Sequence, residues 1–179
     1  MKDLHEFLDF MKRSHPEEIR EFSEEAESDY EVTAMTFEFE KGSNPILLFK
    51  KVKGSQFPIV TNVFGTRKRV AHAIGTTLDN LYPTLEKRLQ SLVKPKMAAS
   101  GPIKENIMKD NDVDLYKLPI FKHFEQDIGK YVTAGIFVAK DPDTGTRNLS
   151  LHRMQLDGKT NSGRASTPEV TCGEFARKE

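Results

Sequence analysis

The sequence has no tryptophan and one cysteine, Cys172, among its 179 residues. A single thiol excludes an intrachain disulfide and any cysteine-rich zinc site, a usage that fits a reducing cytosol. Long apolar runs are missing too: none approaches the roughly 20 residues that span a bilayer. The opening MKDLHEFLDFMKRSH carries charges throughout and lacks the apolar centre of a signal peptide, so a cytoplasmic location is expected. Net charge is zero, 27 Lys and Arg against 27 Asp and Glu, so no global basic field draws in nucleic acid. The histidines, His5, His15, His72, His123 and His152, show no HxH or HExxH spacing, which argues against a histidine-based zinc site. Internal repeats, G-x-G-x-x-G and Walker sequences are also absent.

What is present is a globular composition at its polar end, with 37% hydrophobic residues, 30% charged residues and 12 Phe. The length suits one domain, or one domain and part of another. Charge is uneven along it. Residues 16–40 hold ten acids against the single base Arg20, and residues 50–69 hold six bases and no acid. Two oppositely charged solvated faces of one domain are expected.

Leu4, Phe7, Leu8 and Met11 fall at i, i+3, i+4, i+7 and predict an amphipathic helix over 2–13. Residues 17–27 read as a polar helix or a loop. The stretch DYEVTAMTFEFEKG fits either period and is assigned to helix, while PILLFKKVKG and FPIVTNVFG are short apolar runs bounded by Gly and Pro, expected to pair as buried strands. TRKRVAHAIG predicts a helix capped by Thr66, and PTLEKRLQSLVK another, with Leu85, Leu89 and Leu92 at helical spacing. Pro95, Gly101 and Pro102 then mark a domain edge. Beyond an irregular stretch lies a predicted hairpin, with one strand over 131–139, a turn rich in Asp, Pro and Gly, and a return strand. Residues 159–179 lose apolar patterning and are expected to form a poorly ordered tail.

The return strand, in DTGTRNLSLHRMQ, carries unusual cargo. Alternation puts Leu149 and Leu151 on one face and Asn148, Ser150 and His152 on the other. That polar face is either a solvated sheet surface or the lining of a pocket. Arg153 suits fork-like binding of a carboxylate, but in a regular strand it points away from the polar face and reaches a pocket only through a bulge or a strand end. GTRKR at a helix start is read as a cap with solvated bases in preference to a phosphate cradle. Asp127 and Gly129 read as a turn, and no nucleophile elbow supports a Ser/His/Asp triad.

Taken in order, LFKKVKG, PIVTNVFGTRKRVAHAIG, PIKEN, VDLYKLPIFKHFEQDIGKYVTAG and DPDTGTRNLSLHRMQLDGK resemble the N-terminal part of the UbiD family of decarboxylases, over roughly residues 1–159. The D-x-G-K-Y-x-T and N-x-S-x-x-R pieces are specific in combination. The resemblance implies an α+β chain: an N-terminal α/β layer domain over 1–100, the incomplete first strands of a flavin-reductase-like split β-barrel over 101–158, and a family-divergent tail over 159–179. It implies non-oxidative decarboxylation of aromatic or α,β-unsaturated acids with prenylated FMN, Mn²⁺ and K⁺. A flavin prenyltransferase would supply the cofactor, and the full-length form would be a homo-oligomer. On the matched motif, Asn148 becomes a metal ligand, Ser150, Leu151, His152 and Arg153 become cofactor contacts, and Arg153 becomes the catalytic carboxylate anchor.

The sequence also departs from the pattern. The family carries a His metal ligand on the next strand, yet the corresponding stretch RASTPEVT has no His. The Glu ligand and the acids that work with the Arg have no counterpart, and family proteins are more than twice as long. A frameshifted or truncated product, inactive alone, is expected. The alternatives are a non-catalytic module or split-enzyme subunit supplying half of a flavin site, and an FMN-binding oxidoreductase of the split-barrel type.

Overall fold

The computed structural model describes residues 3–93, 96, 98–160 and 162–164. Asp3 starts helix α1 (Leu4–Ser14): its carboxylate accepts the Glu6 amide at 2.9 Å, satisfying one of the N–H groups that a helix start leaves unpaired. Phe7 and Met11 form the buried stripe. A 3₁₀ turn at Pro16–Glu18 then leads into strand β1 (Ile19–Ala26), where a polar helix or loop is expected. Charge hides this strand from the sequence. Only Ile19 and Ala26 are buried, and β1 is an edge strand paired on one side alone, where charged side chains are the usual guard against further pairing.

Three acids of this edge region are paired with bases while others, such as Glu24 and Glu25, stay exposed. Glu21 receives Lys50 at 2.5 Å and Lys12 at 2.6 Å, Glu27 receives Lys53 at 2.8 Å, and Glu18 receives Lys68 at 3.0 Å and Arg69 at 3.4 Å. Three members of the acidic run thus reach four bases of the 50–69 run, and Lys12 of α1 as well.

Helix α2 (Glu31–Glu40) crosses from β1 to β2 (Ile46–Val52), which lies parallel to β1, and β3 (Ile59–Thr61) returns antiparallel. The order β1-β2-β3 leaves β2 central. Its run Ile46–Phe49 is apolar because both faces are covered. Leu47 and Phe49 pack with Val32, Val52 and Ile59 beneath α2, and Ile46 packs with Phe7, Met11 and Ile19 beneath α1. Phe22 stacks on Phe49 at 5.0 Å.

Thr66 caps α3 (Arg67–Ile74) by accepting the Arg69 amide, and Gly75 ends it at φ +77°, a left-handed position where glycine carries no Cβ penalty. The bases of this start are not all solvated as expected. Arg69 is fully buried and donates to the carbonyls of Asn44 (2.7 Å), Asn62 (3.0 Å) and Val63 (3.1 Å). Helix α4 (Leu81–Leu89) ends before the last of the periodic leucines, Leu92, and both Leu89 and Leu92 are exposed.

Short 3₁₀ turns carry the chain to β4 (Tyr131–Val132), β5 (Ile136–Lys140), β6 (Arg147–Leu151), β7 (Met154–Leu156) and β8 (Ser162–Arg164). These form two sheets, β4-β7-β8 and β5-β6, and no barrel closes among the described residues. The architecture is mixed α and β, as expected. Strand β8 falls within the stretch read from sequence as tail, and residues 165–179 lie outside the described residues.

A clasp joins the first layer to the second region. Asp29 accepts Lys130 Nζ at 2.7 Å and the Lys122 amide at 3.3 Å, while the Tyr30 amide donates to the Lys122 carbonyl at 3.0 Å. Burial pushes the Asp29 carboxyl up, but Lys130 and the Lys122 amide outweigh it and hold the group below its ordinary range.

Candidate functional site

The predicted hairpin is present, and it bends. β4 pairs with β7 through Tyr131↔Gln155 and Val132↔Met154, and β5 pairs with β6 from Ile136↔Leu151 to Lys140↔Arg147. Between the ladders the chain leaves strand geometry, and the His152 amide donates to the Gly135 carbonyl at 3.2 Å to hold the halves together. Gly135 sits in close approach: a Cβ there would displace the end of the Met154 side chain and press on the His152 carbonyl. The connecting turn is closed by the Asp141 amide donating to the Thr146 carbonyl at 2.8 Å.

The sides of β6 alternate as the sequence predicts, but their exposure is the reverse of an ordinary half-buried strand. Asn148, Ser150 and His152 are half-buried. Leu149 and Leu151 are 65% and 72% exposed, and their cross-strand partners Val138 and Ile136 are 64% and 61% exposed. Of the two faces, the one carrying an amide, a hydroxyl and an imidazole is the more sheltered, and the leucine face is the more solvated. The His152 ring meets Phe137 edge-on at 5.4 Å, and its Nε2 is buried with no hydrogen-bond partner among the described residues. A buried nitrogen left unpaired costs about 1–3 kcal/mol, which is why such atoms so often face a ligand or an ordered water.

Arg153 lies just past the bend, at the interruption between β6 and β7. Its guanidinium carbon sits 5.7 Å from the centre of the Tyr131 ring, and the Tyr131 hydroxyl donates to Gln155 Oε1 at 3.2 Å. Asn148, Ser150 and His152 thus share a sheltered face, Leu151 projects from the opposite one, and Arg153 belongs to the Tyr131–Gln155 side of the second ladder. Sequence reasoning missed Tyr131, Gln155 and Phe137. Pairing the hairpin outward from its turn would have placed Phe137 opposite Ser150, but only the bend puts Tyr131 opposite Gln155.

His15, Glu17 and Glu18 place donor atoms within 4.8 Å of one another, but the Glu18 carboxylate is already matched by Lys68 and Arg69. A cavity of about 520 Å³ lies between α2, β3 and residues 121–123, and reaches Thr133 and Ala134 at the bend. His123 lines it, with Nδ1 3.3 Å from Thr33 Oγ1.

Two family models match the chain. The 3-octaprenyl-4-hydroxybenzoate carboxy-lyase N-terminal domain covers residues 12–89, and the Rift-related domain of the same carboxy-lyase covers 95–174. The chain belongs to the UbiD family. The match runs past Lys159, beyond the point where the sequence reading places a family-divergent tail. An uncharacterized protein of Aquifex aeolicus is 32% identical over 178 residues, covering 87% of this UbiD-family chain and 36% of its own length. The UbiD-class enzyme HmfF from Pelotomaculum thermopropionicum, solved in complex with FMN, superposes with a TM-score of 0.87 at 31% identity, covering 97% of this chain and 38% of HmfF. An evolved dimeric form of HmfF with prFMN gives a TM-score of 0.90 at 31% identity, over 99% of this chain and 41% of HmfF. The chain spans little more than a third of the length of these relatives. Among the described residues, no helix is long and apolar enough to cross a membrane.

Proposed function

We propose that this chain supplies the flavin-facing strand of a UbiD-type carboxy-lyase acting on aromatic or α,β-unsaturated acids, with β4–β8 as the first strands of a split barrel following an N-terminal domain over 1–100. One observation carries the reading: β6 and the residue after it shelter Asn148, Ser150 and His152, and the His152 Nε2 is buried and unpaired among the described residues. The donor set fits the cofactor. An amide oxygen such as that of Asn148 suits a hard cation, Mn²⁺ here with K⁺ as companion. Ser150 and His152 offer a hydroxyl and an imidazole to the flavin, and Leu151, whose side chain points to the opposite face, offers only its backbone between them. When bound, prenylated FMN supplies the electron sink for loss of CO₂. The task of the chain's own residues is to orient: Asn148 fixes the ion, the sheltered face excludes water, and Arg153 holds the carboxylate in its planar fork. The acid that returns a proton to the product is not among the matched residues, so turnover by this chain alone is not expected. A flavin prenyltransferase as supplier and a homo-oligomeric full-length form complete the proposal.

A second reading, a subunit or module that lends this half-site to another polypeptide, is favoured by the exposed aliphatic face of β5–β6. Gel filtration of the chain after incubation with prenylated FMN and Mn²⁺ tests the common core of both. The expected outcome is flavin absorbance co-eluting with protein and lost on adding EDTA, with Asn148→Ala lowering Mn²⁺ affinity at least about tenfold. Flavin eluting entirely free of protein would refute the assignment. CO₂ released from cinnamate would show that the chain alone suffices.

A further inference from the structure

We infer that Tyr131, itself held by Gln155, is the positioning residue that sets the direction of the Arg153 guanidinium. The inference rests on reading Arg153 as a carboxylate anchor. It starts from a physical difficulty: Arg153 is exposed and its side chain is long, so an unsupported guanidinium samples many directions, whereas two parallel hydrogen bonds to a carboxylate require one plane. Something must hold the fork.

Tyr131 has the anchorage for this. Its amide donates to the Phe121 carbonyl at 3.1 Å on one side, its backbone pairs with Gln155 on the other, and the neighbouring Leu156 amide donates to the Lys130 carbonyl at 2.8 Å. The ring is fixed at its far end by the 3.2 Å hydrogen bond to Gln155 Oε1. In an antiparallel ladder Arg153 is the diagonal neighbour of Tyr131, within reach of an aromatic and a long side chain, and the 5.7 Å approach to the ring centre realises that contact. An aromatic ring attracts the cation without occupying any of its N–H donors, all of which remain for an acid. The Gly135 bend matters here as well, because it breaks the strand beside Arg153 and lets the side chain join the Tyr131–Gln155 face.

The test uses the whole chain with FMN and Mn²⁺, benzoate as the probe acid and benzamide as its uncharged match, with binding followed by NMR together with the Arg153 Nε–Hε resonance. The wild type is expected to prefer benzoate, and Arg153→Gln to lose that preference. Tyr131→Leu should weaken benzoate binding roughly two- to fivefold with benzamide unchanged, and should move the Arg153 resonance out of the ring's shielding. Tyr131→Phe, which keeps the ring and guards against misfolding of the leucine variant, should retain the shielded resonance and most of the preference. If the wild type shows no preference, or Arg153→Gln keeps it, the anchor reading fails and this inference falls with it. If Arg153→Gln loses the preference while Tyr131→Leu keeps both the preference and the resonance, the positioning role alone is overturned.

Discussion

At the scale of single residues, Arg69 and His72 show how burial turns a charge into a structural commitment. Arg69 is fully buried, and its guanidinium serves three backbone carbonyls and Glu18. Arg69→Met strands those acceptors, and a loss of about 3–5 kcal/mol in urea unfolding is expected. His72 stacks on His15 at 4.5 Å with its Nε2 buried and unpaired. Burial first, then the nearby His15 and Lys68, pull its pKa below the ordinary 6.5. A lowered pKa means that the folded chain favours neutral imidazole, so the stability it contributes is present above pH 6.5 and is lost as pH falls through the lowered value. His72→Phe should flatten that part of a stability-against-pH curve. Neither role was legible in the sequence. GTRKR shows five residues at a helix start, and nothing in their spacing tells which base turns inward.

At the scale of elements, the parts with clean apolar spacing were legible and those where charge or a bend intervenes were not. Helix α1 follows from Leu4, Phe7, Leu8 and Met11, and the β2–β3 pair from apolar runs between Gly and Pro. Strand β1 was missed because six of its eight residues are not buried and an edge strand tolerates glutamate where a central strand would not. The hairpin was foreseen as one ribbon, but the bend divides it into two ladders whose registers differ by one residue, with Met154 lying over Gly135 in a contact across the ladder that no local pattern encodes. Gly135→Val is expected to destabilise the hairpin by about 1–3 kcal/mol through overpacking, and pairing it with Met154→Ala should recover much of the loss. Hydrogen exchange at the His152 amide, which reports the bond to Gly135, provides the measurement.

At the scale of the whole molecule, the clasp and the exposed aliphatic face govern behaviour. The Asp29 carboxyl lies below its ordinary 3.8, so its contribution is present above that value and disappears as pH falls through the lowered one. Asp29→Asn should remove this acid-side slope and raise protease sensitivity between residues 90 and 130. Ile136, Val138, Leu149 and Leu151 form a contiguous water-facing patch, so the chain should self-associate or bind a hydrophobic dye increasingly with added sulfate. The double substitution Leu149→Ser and Leu151→Ser should suppress both, as read by light scattering and dye fluorescence. The polar cargo of the candidate site could be read from the sequence, but its sheltering could not, because alternation says which residues share a face and not which face meets water. The interruption at Gly135 divides one ribbon into two ladders whose registers differ by one residue. On the function proposed above, substitutions in the β5–β6 ladder would alter the hold on the cofactor while the β4–β7 ladder kept Arg153 in place, so affinity for the cofactor and selectivity for the acid would be separately adjustable traits.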